Sequence, residues 1–171
     1  MIKLEEIKLQ HGDVLHCTSK SWLARTIQKM TKSHINHTSL MLEIDGAMYV
    51  IDAQKNGVNL KTLENWLENF KYTYVLHRKR KPTTQWNKGI SIRALSKVGV
   101  TPYDFASLLI WQPIYILTGK WKGRTEDRAD DRFYCSEYVA WVLGLENWWE
   151  CSPDLVYKAL QKMDEEFILI S

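Results

Sequence analysis

The chain has 171 residues, 45% of them hydrophobic and 25% charged, proportions that support one hydrophobic core and exclude general disorder. Lysine plus arginine number 23 against 20 for aspartate plus glutamate, and a net charge of +3 is too small to mark a dedicated nucleic-acid binder. Cys17, Cys135 and Cys151 form no CxxC pair and are odd in number, so neither a zinc ribbon nor a disulfide scaffold is expected. The start of the chain carries Glu5 and Glu6 where a secretory signal needs a basic residue and then an apolar run, which points to a cytoplasmic chain without an export signal.

In chain order, residues 12–15 read as the entry to a first strand. Residues 19–31 read as a helix with Trp22, Leu23, Ile27 and Met30 on one face. Two apolar runs, 37–44 and 47–53, flank Asp45-Gly46, a pair that tolerates positive φ and predicts an antiparallel hairpin. Lys55-Asn56-Gly57 marks a second turn, 58–60 a strand, 63–70 a short helix, and 72–78 a strand alternating aromatic, β-branched and polar residues such as Tyr72 and Tyr74. The basic run from His77 to Lys81, ahead of Pro82, reads as a solvated connection between the two halves, with phosphate contact as the alternative. Helical patterns follow over 84–97, 105–117, 135–143 and 153–163, with a last strand at 167–170. The stretch 105–117 is strongly apolar but shorter than the roughly 20 residues of a spanning helix. A buried helix is therefore expected there, with membrane contact as the alternative. Segregated strands and helices give an α+β class, with one domain over 1–171 and its core at about 10–163.

Chemistry at neutral pH is readily built from a cysteine and a nearby histidine, because the thiolate is the nucleophile and imidazole takes its proton. Cys135 opens the helical pattern of Tyr138, Val139, Val142 and Leu143, so it sits at a helix N-terminus, where unpaired amides and the dipole favour negative charge. The competing reading of Cys135 is a small buried hydrophobe, and Cys17 and Cys151 read as passive. A two-residue turn at Asp45-Gly46 makes Ile44 face Ala47, Ser39 face Asp52 and His37 face Gln54. His37 and Asp52 then share the less apolar face as diagonal neighbours about 7 Å apart. Asp52 is the preferred partner for His37 and Gln54 the competitor. A His34/His37 metal pair lacks further ligands, and no metal is expected.

The order Gly12-Asp13-Val14-Leu15, a helix ending in Thr31-x-Ser33, His37 before a strand, Tyr49-Val50-Ile51-Asp52-Ala53 with Gly57-Val58, Tyr103-Asp104-Phe105 and Tyr134-Cys135-Ser136-Glu137-Tyr138-Val139 resembles a known family. It is that of the permuted papain-like (NlpC/P60 superfamily) cysteine hydrolases of the YiiX/YebB type. The resemblance implies a circularly permuted papain-like fold, a small antiparallel sheet or barrel packed on helices. It implies Cys135 as nucleophile, His37 as general base and Asp52 as third group, cleaving an amide or ester through a thioester without a cofactor. It implies peptide, cell-wall or acyl-amide and lipid substrates, and a bacterial or phage setting. Tyr103, Trp111, Tyr134 and Gln54 are expected on the substrate side. The family more often carries glutamate where Asp52 stands, and aspartate is one methylene shorter. The alternatives are an acyltransferase or N-acyl hydrolase of the lecithin:retinol type, and a binding or virion component that kept the fold without turnover.

Overall fold

The computed structural model describes residues 7–18, 22–69, 73–125 and 131–170. Six strands, β1 (Val14–Thr18), β2 (His37–Ile44), β3 (Ala47–Gln54), β4 (Gly57–Thr62), β5 (Thr73–Lys79) and β6 (Phe167–Ile170), form one open antiparallel sheet in the order β4-β3-β2-β1-β5-β6. The α-helices are α1 (Trp22–Thr31), α2 (Leu63–Asn69), α3 (Thr84–Leu95), α4 (Gln112–Thr118), α5 (Cys135–Leu143) and α6 (Pro153–Lys162), and a π-helical turn at Ser107–Trp111 leads into α4. The α+β class and the strand–helix order follow the sequence reading, and the sheet stays open rather than closing into a barrel. The predicted helix start at 19–21, Phe70 of the predicted helix 63–70, Tyr72, and the side chains of Trp22, Leu23 and Tyr74 lie outside the described residues.

The hairpin forms in the register that its turn dictates, with Ile44 opposite Ala47 and Leu40 opposite Ile51. Asp45 and Gly46 both take positive φ, at 49° and 78°. Both faces of the sheet are buried. On one, Val14, Leu40, Leu42 and Ile51 pack against Tyr138, Val139, Ala140 and Val142 of α5 and against Val156 and Leu160 of α6. On the other, Leu15, Cys17, Met41, Val50 and Leu76 pack with Leu9 and Trp66, so the face expected to be less apolar is a second core. The reason is α2, which lays Trp66 over it and excludes water.

The basic run is not a connection. His77, Arg78 and Lys79 belong to β5, and their side chains are used inside the fold. Arg78 makes a two-pronged ion pair with the buried Asp13, Nε to Oδ1 at 2.8 Å and an Nη to Oδ2 at 2.7 Å. Lys79 pairs with Glu166 and sits over the Phe167 ring, and Arg80 donates to the Asp164 carbonyl. Gly57 is held at φ 101° where a Cβ would lie 2.5 Å from the Thr101 carbonyl oxygen. That close approach lets Val58 N–H bond Thr101 at 2.9 Å and brings the segment of Tyr103 along the sheet's end.

His16 and His77 form a buried pair, Nδ1 of His77 lying 3.0 Å from Nε2 of His16, with Tyr157 of α6 packed edge-on against both rings. Burial, reinforced at His16 by the His77 charge, pushes the His16 pKa well down, and burial brings that of His77 to about 4. Between the ordinary histidine value of about 6.5 and about 4, the unfolded chain binds protons that the folded chain refuses, so stability falls as pH drops through that window. Melting temperature measured against pH is expected to fall there in the native chain and to fall less in the His16→Gln/His77→Gln variant.

Candidate active site

The site is organised around Asp52, a β3 carboxylate only 1% exposed. Its Oδ2 lies 2.7 Å from His37 Nε2 and accepts from Ser39 Oγ at 3.1 Å and Trp66 Nε1 at 3.1 Å. Gln54 Nε2 donates to Oδ1 at 3.0 Å and Oδ2 at 3.2 Å, while its own Oε1 accepts from Lys61. Gln54, the competitor for His37, therefore holds Asp52 instead. Burial pushes the Asp52 pKa up, but the His37 hydrogen bond and charge, with Trp66 and Gln54, outweigh it and keep the group below the ordinary carboxylate value.

His37 opens β2 opposite Cys17 of β1 and is 14% exposed. With Nε2 directed at Asp52, Nδ1 is the ring nitrogen left for Cys135, to which His37 is also hydrogen-bonded. Burial opposes charge on the ring. The Cys135 charge, the hydrogen bonds to Asp52 and Cys135 and the Asp52 charge prevail and push the His37 pKa up to about 10.

Cys135 is the first residue of α5, and the sequence explains its position. Tyr134 is extended, the Glu137 carboxylate accepts from the Tyr134 N–H at 3.2 Å, and Gly144 closes the helix in the left-handed conformation at φ 71°. The apolar face of α5 lies on β2 and β3 and fixes its N-terminus near the start of β2, at His37. The first-turn amides of a helix lack helical partners, so the start of α5 favours negative charge. Such an arrangement can hold a thiolate beside an imidazolium and stabilise a developing oxyanion.

The other expected residues divide. Tyr103 is half-buried, and burial, followed by the charges of Cys135 and Asp52, raises its pKa well above the ordinary value, so its phenol lies within the field of the site. Tyr134 is fully buried in a core cluster with Ile27 and Leu108, and its hydroxyl accepts from Gln112 Nε2 at 2.7 Å. Trp111 and Trp121 both stand close against Gly123, where an added Cβ would lie 3.0 and 2.6 Å from their rings. Trp66 and Ser39 were not singled out from sequence as partners of Asp52. The hairpin register did place Ser39 beside it, whereas nothing in the α2 pattern marks which residue turns inward. The His34 carbonyl accepts from Thr18 Oγ1 at 3.0 Å and Gln28 Nε2 at 2.8 Å.

A family model described as a permuted papain-like amidase enzyme, YaeF/YiiX, C92 family, matches residues 8–163. The chain is also similar to a solved structure described as the crystal structure of metalloprotein yiiX from Escherichia coli O157:H7. The TM-score is 0.59 at 21% identity, over 95% of this chain and 96% of that one, a likeness of fold. No curated protein matches. Among the described residues of this chain no group of three or more His, Cys, Asp or Glu side chains gathers that could hold a metal ion.

Trp66→Phe removes one donor from a buried carboxylate and should lower unfolding stability by about 2 kcal/mol in urea titration. The three thiols should also differ in reactivity. Burial, then the charges of Asp52 and Cys135, push Cys17 well up, and burial, then Glu150, push Cys151 up to about 12. Iodoacetamide near neutral pH is expected to modify Cys135 first, with the other two slower by on the order of 100-fold in the native chain, read by peptide mass mapping.

Proposed function

Since the chain belongs to the permuted papain-like amidase family of the YaeF/YiiX type, we propose that its cysteine-hydrolase chemistry is carried by Cys135, His37 and Asp52. The observation that supports this reading is one ring with two partners, His37 bonded to Asp52 at Nε2 and to the thiol of Cys135. The Cys135 sulfur, as thiolate, attacks the carbonyl carbon of an amide or ester, and the carbonyl oxygen takes the negative charge near the Cys135 backbone N–H. The carbon–nitrogen or carbon–oxygen bond breaks, and the proton on His37 goes to the departing amine or alcohol. Water then gives a proton to His37 and adds to the thioester, and the carbon–sulfur bond breaks to release the carboxylic acid and restore the thiolate–imidazolium pair. Asp52 holds the ring in the orientation both steps need and stays ionised. Tyr103, half-buried and within the field of Cys135 and Asp52, is the side chain we assign to substrate contact.

The shorter aspartate at position 52 is compatible with this role, because the 2.7 Å contact to His37 is made without the extra methylene. The experiment is hydrolysis of a panel of N-acyl amides and activated esters. Cys135→Ala should reduce turnover by at least about 10³-fold and Asp52→Asn by about 10²–10⁴-fold, each with an unchanged circular-dichroism spectrum. Trapping of the acyl group on Cys135, seen by mass spectrometry, is expected with the esters. Turnover that survives Cys135→Ala would overturn the assignment.

A further inference from the structure

The segment from Phe105 to Leu117 is not the buried helix that its composition suggests. Its inner side is pinned by polar groups as much as by apolar ones: Ser107, Leu108 and Gln112 are buried, the Ser107 N–H bonds Asp104 Oδ1 at 2.9 Å, and Gln112 donates to Tyr134 Oη and the Glu150 carbonyl. Its outer side carries the large apolar residues. Phe105 is 45% exposed, Leu109 38%, Ile110 51%, Ile116 43% and Leu117 84%. Surface helices of water-soluble domains place these classes the other way round. The exposed positions continue along one side of the rod through the π-helical turn and α4, and a contiguous outward apolar face of this kind marks an interaction surface.

Glu150 lies against Tyr115, and Asp154 shares a cleft with Tyr115 and Ile116, but the charge of the segment itself has one sign and identifies what it fits. From 105 to 125 the sequence contains no aspartate or glutamate, while Lys120, Lys122 and Arg124 follow the helix directly. Arg124 is tied to Asp104 and Asp131, whereas Lys120 and Lys122 are exposed beside the apolar face. Trp111, Tyr115 and Trp121 stand half-buried at its margin, Tyr115 and Trp121 edge to face at 5.9 Å, with the Trp121 indole N–H on the Arg124 carbonyl. Apolar residues outward, aromatic rings at the margin and lysines just beyond are the parts of an interfacial lipid-binding surface. A second copy of the chain would bring the same lysines to the contact without a carboxylate in this segment to pair them.

We propose that the outer face of residues 105–118 docks onto the surface of an anionic lipid bilayer, with the apolar side chains in the headgroup boundary and Lys120 and Lys122 on the headgroups. Among the described residues no helix is long and apolar enough to cross a membrane, so the contact is peripheral. The docked face adjoins the candidate active site, because the Phe105 ring lies 4.8 Å from that of Tyr103. The docking rests on the surface alone and does not depend on the chemistry of Cys135.

The test is flotation of the full chain with vesicles of phosphatidylcholine, alone or mixed with phosphatidylglycerol. Binding to the mixed vesicles is expected, weakened by high salt. Ile110→Glu and Leu117→Glu, both at exposed positions, should each reduce it at least tenfold, an estimate from the apolar face's share of interfacial binding. Lys120→Gln/Lys122→Gln should reduce it about 30-fold on the mixed vesicles and leave the neutral ones unaffected. Cys135→Ala should bind like the native chain, which separates docking from catalysis. Absence of flotation with mixed vesicles, or flotation indifferent to Ile110→Glu and Leu117→Glu, overturns the proposal. So does a dimer in analytical ultracentrifugation that Ile110→Glu dissolves, which would assign the face to a second copy.

Discussion

A carboxylate withdrawn from water is tolerated only if its oxygens are occupied, and Asp52 meets that condition with donors from three different elements. His37 and Ser39 come from β2, Gln54 from the same strand as Asp52, and Trp66 from α2. Each of these contacts constrains something beyond itself. The Trp66 indole ties α2 to the sheet and seals the second core. The Ser39 hydroxyl ties the register of β2 to that of β3. Once these donors have fixed the carboxylate, the His37 ring has one orientation available, and that orientation leaves its second nitrogen for Cys135. A change that unseats Asp52 would therefore disturb the sheet, the second core and the thiol partner together.

The helix that carries Cys135 is fixed independently. α5 is almost wholly buried, with Tyr138 bonded to the Ala94 carbonyl at 2.9 Å and Arg93 approaching the Val142 carbonyl at its C-terminal end. Its first turn is stabilised by Glu137, a buried acid whose pKa is raised well above the ordinary value, by burial before anything else. The thiol and the imidazole thus sit on two rigid supports, the end of a helix and the end of a strand, that are brought together by the apolar packing between α5 and the face of β2 and β3 that carries Leu40, Leu42 and Ile51. Groups held this way on rigid supports lose little entropy on meeting a bound molecule. Cys17 is buried beside them, and burial first, then the charges of Asp52 and Cys135, push its pKa well up.

Much of this was legible in the residues because the informative signals are local. Asp45-Gly46 defines the hairpin, the hairpin defines which side chains share a face, and the pattern after Tyr134 places Cys135 at a helix start. What was not legible depends on contacts between distant segments. The α2 pattern does not reveal that Trp66 reaches Asp52, and the polar residues of the hairpin face gave no sign that a helix would cover them. His77 to Lys81 looks solvated because charge runs usually are, but Asp13 and Glu166, far away in sequence, neutralise Arg78 and Lys79. The apolar run ending at Leu117 looks buried because composition does not say which side of a helix faces the core. Ser107, Leu108 and Gln112 take the inward positions there, and Phe105, Leu109, Ile110, Ile116 and Leu117 are left outside. The burial of Tyr134 was hidden for the same reason, since its hydroxyl is claimed by Gln112 from another element.

The central physical claim is that His37 is held charged between a carboxylate and a thiol. Its ring can be observed directly by NMR titration of the ¹³Cε1–H signal, assigned by loss in His37→Gln, in the native chain and in Asp52→Asn. The expected midpoint in the native chain is about 10, falling when Asp52 loses its charge. A midpoint near the ordinary histidine value of about 6.5 in both proteins would contradict the coupling of Asp52, His37 and Cys135.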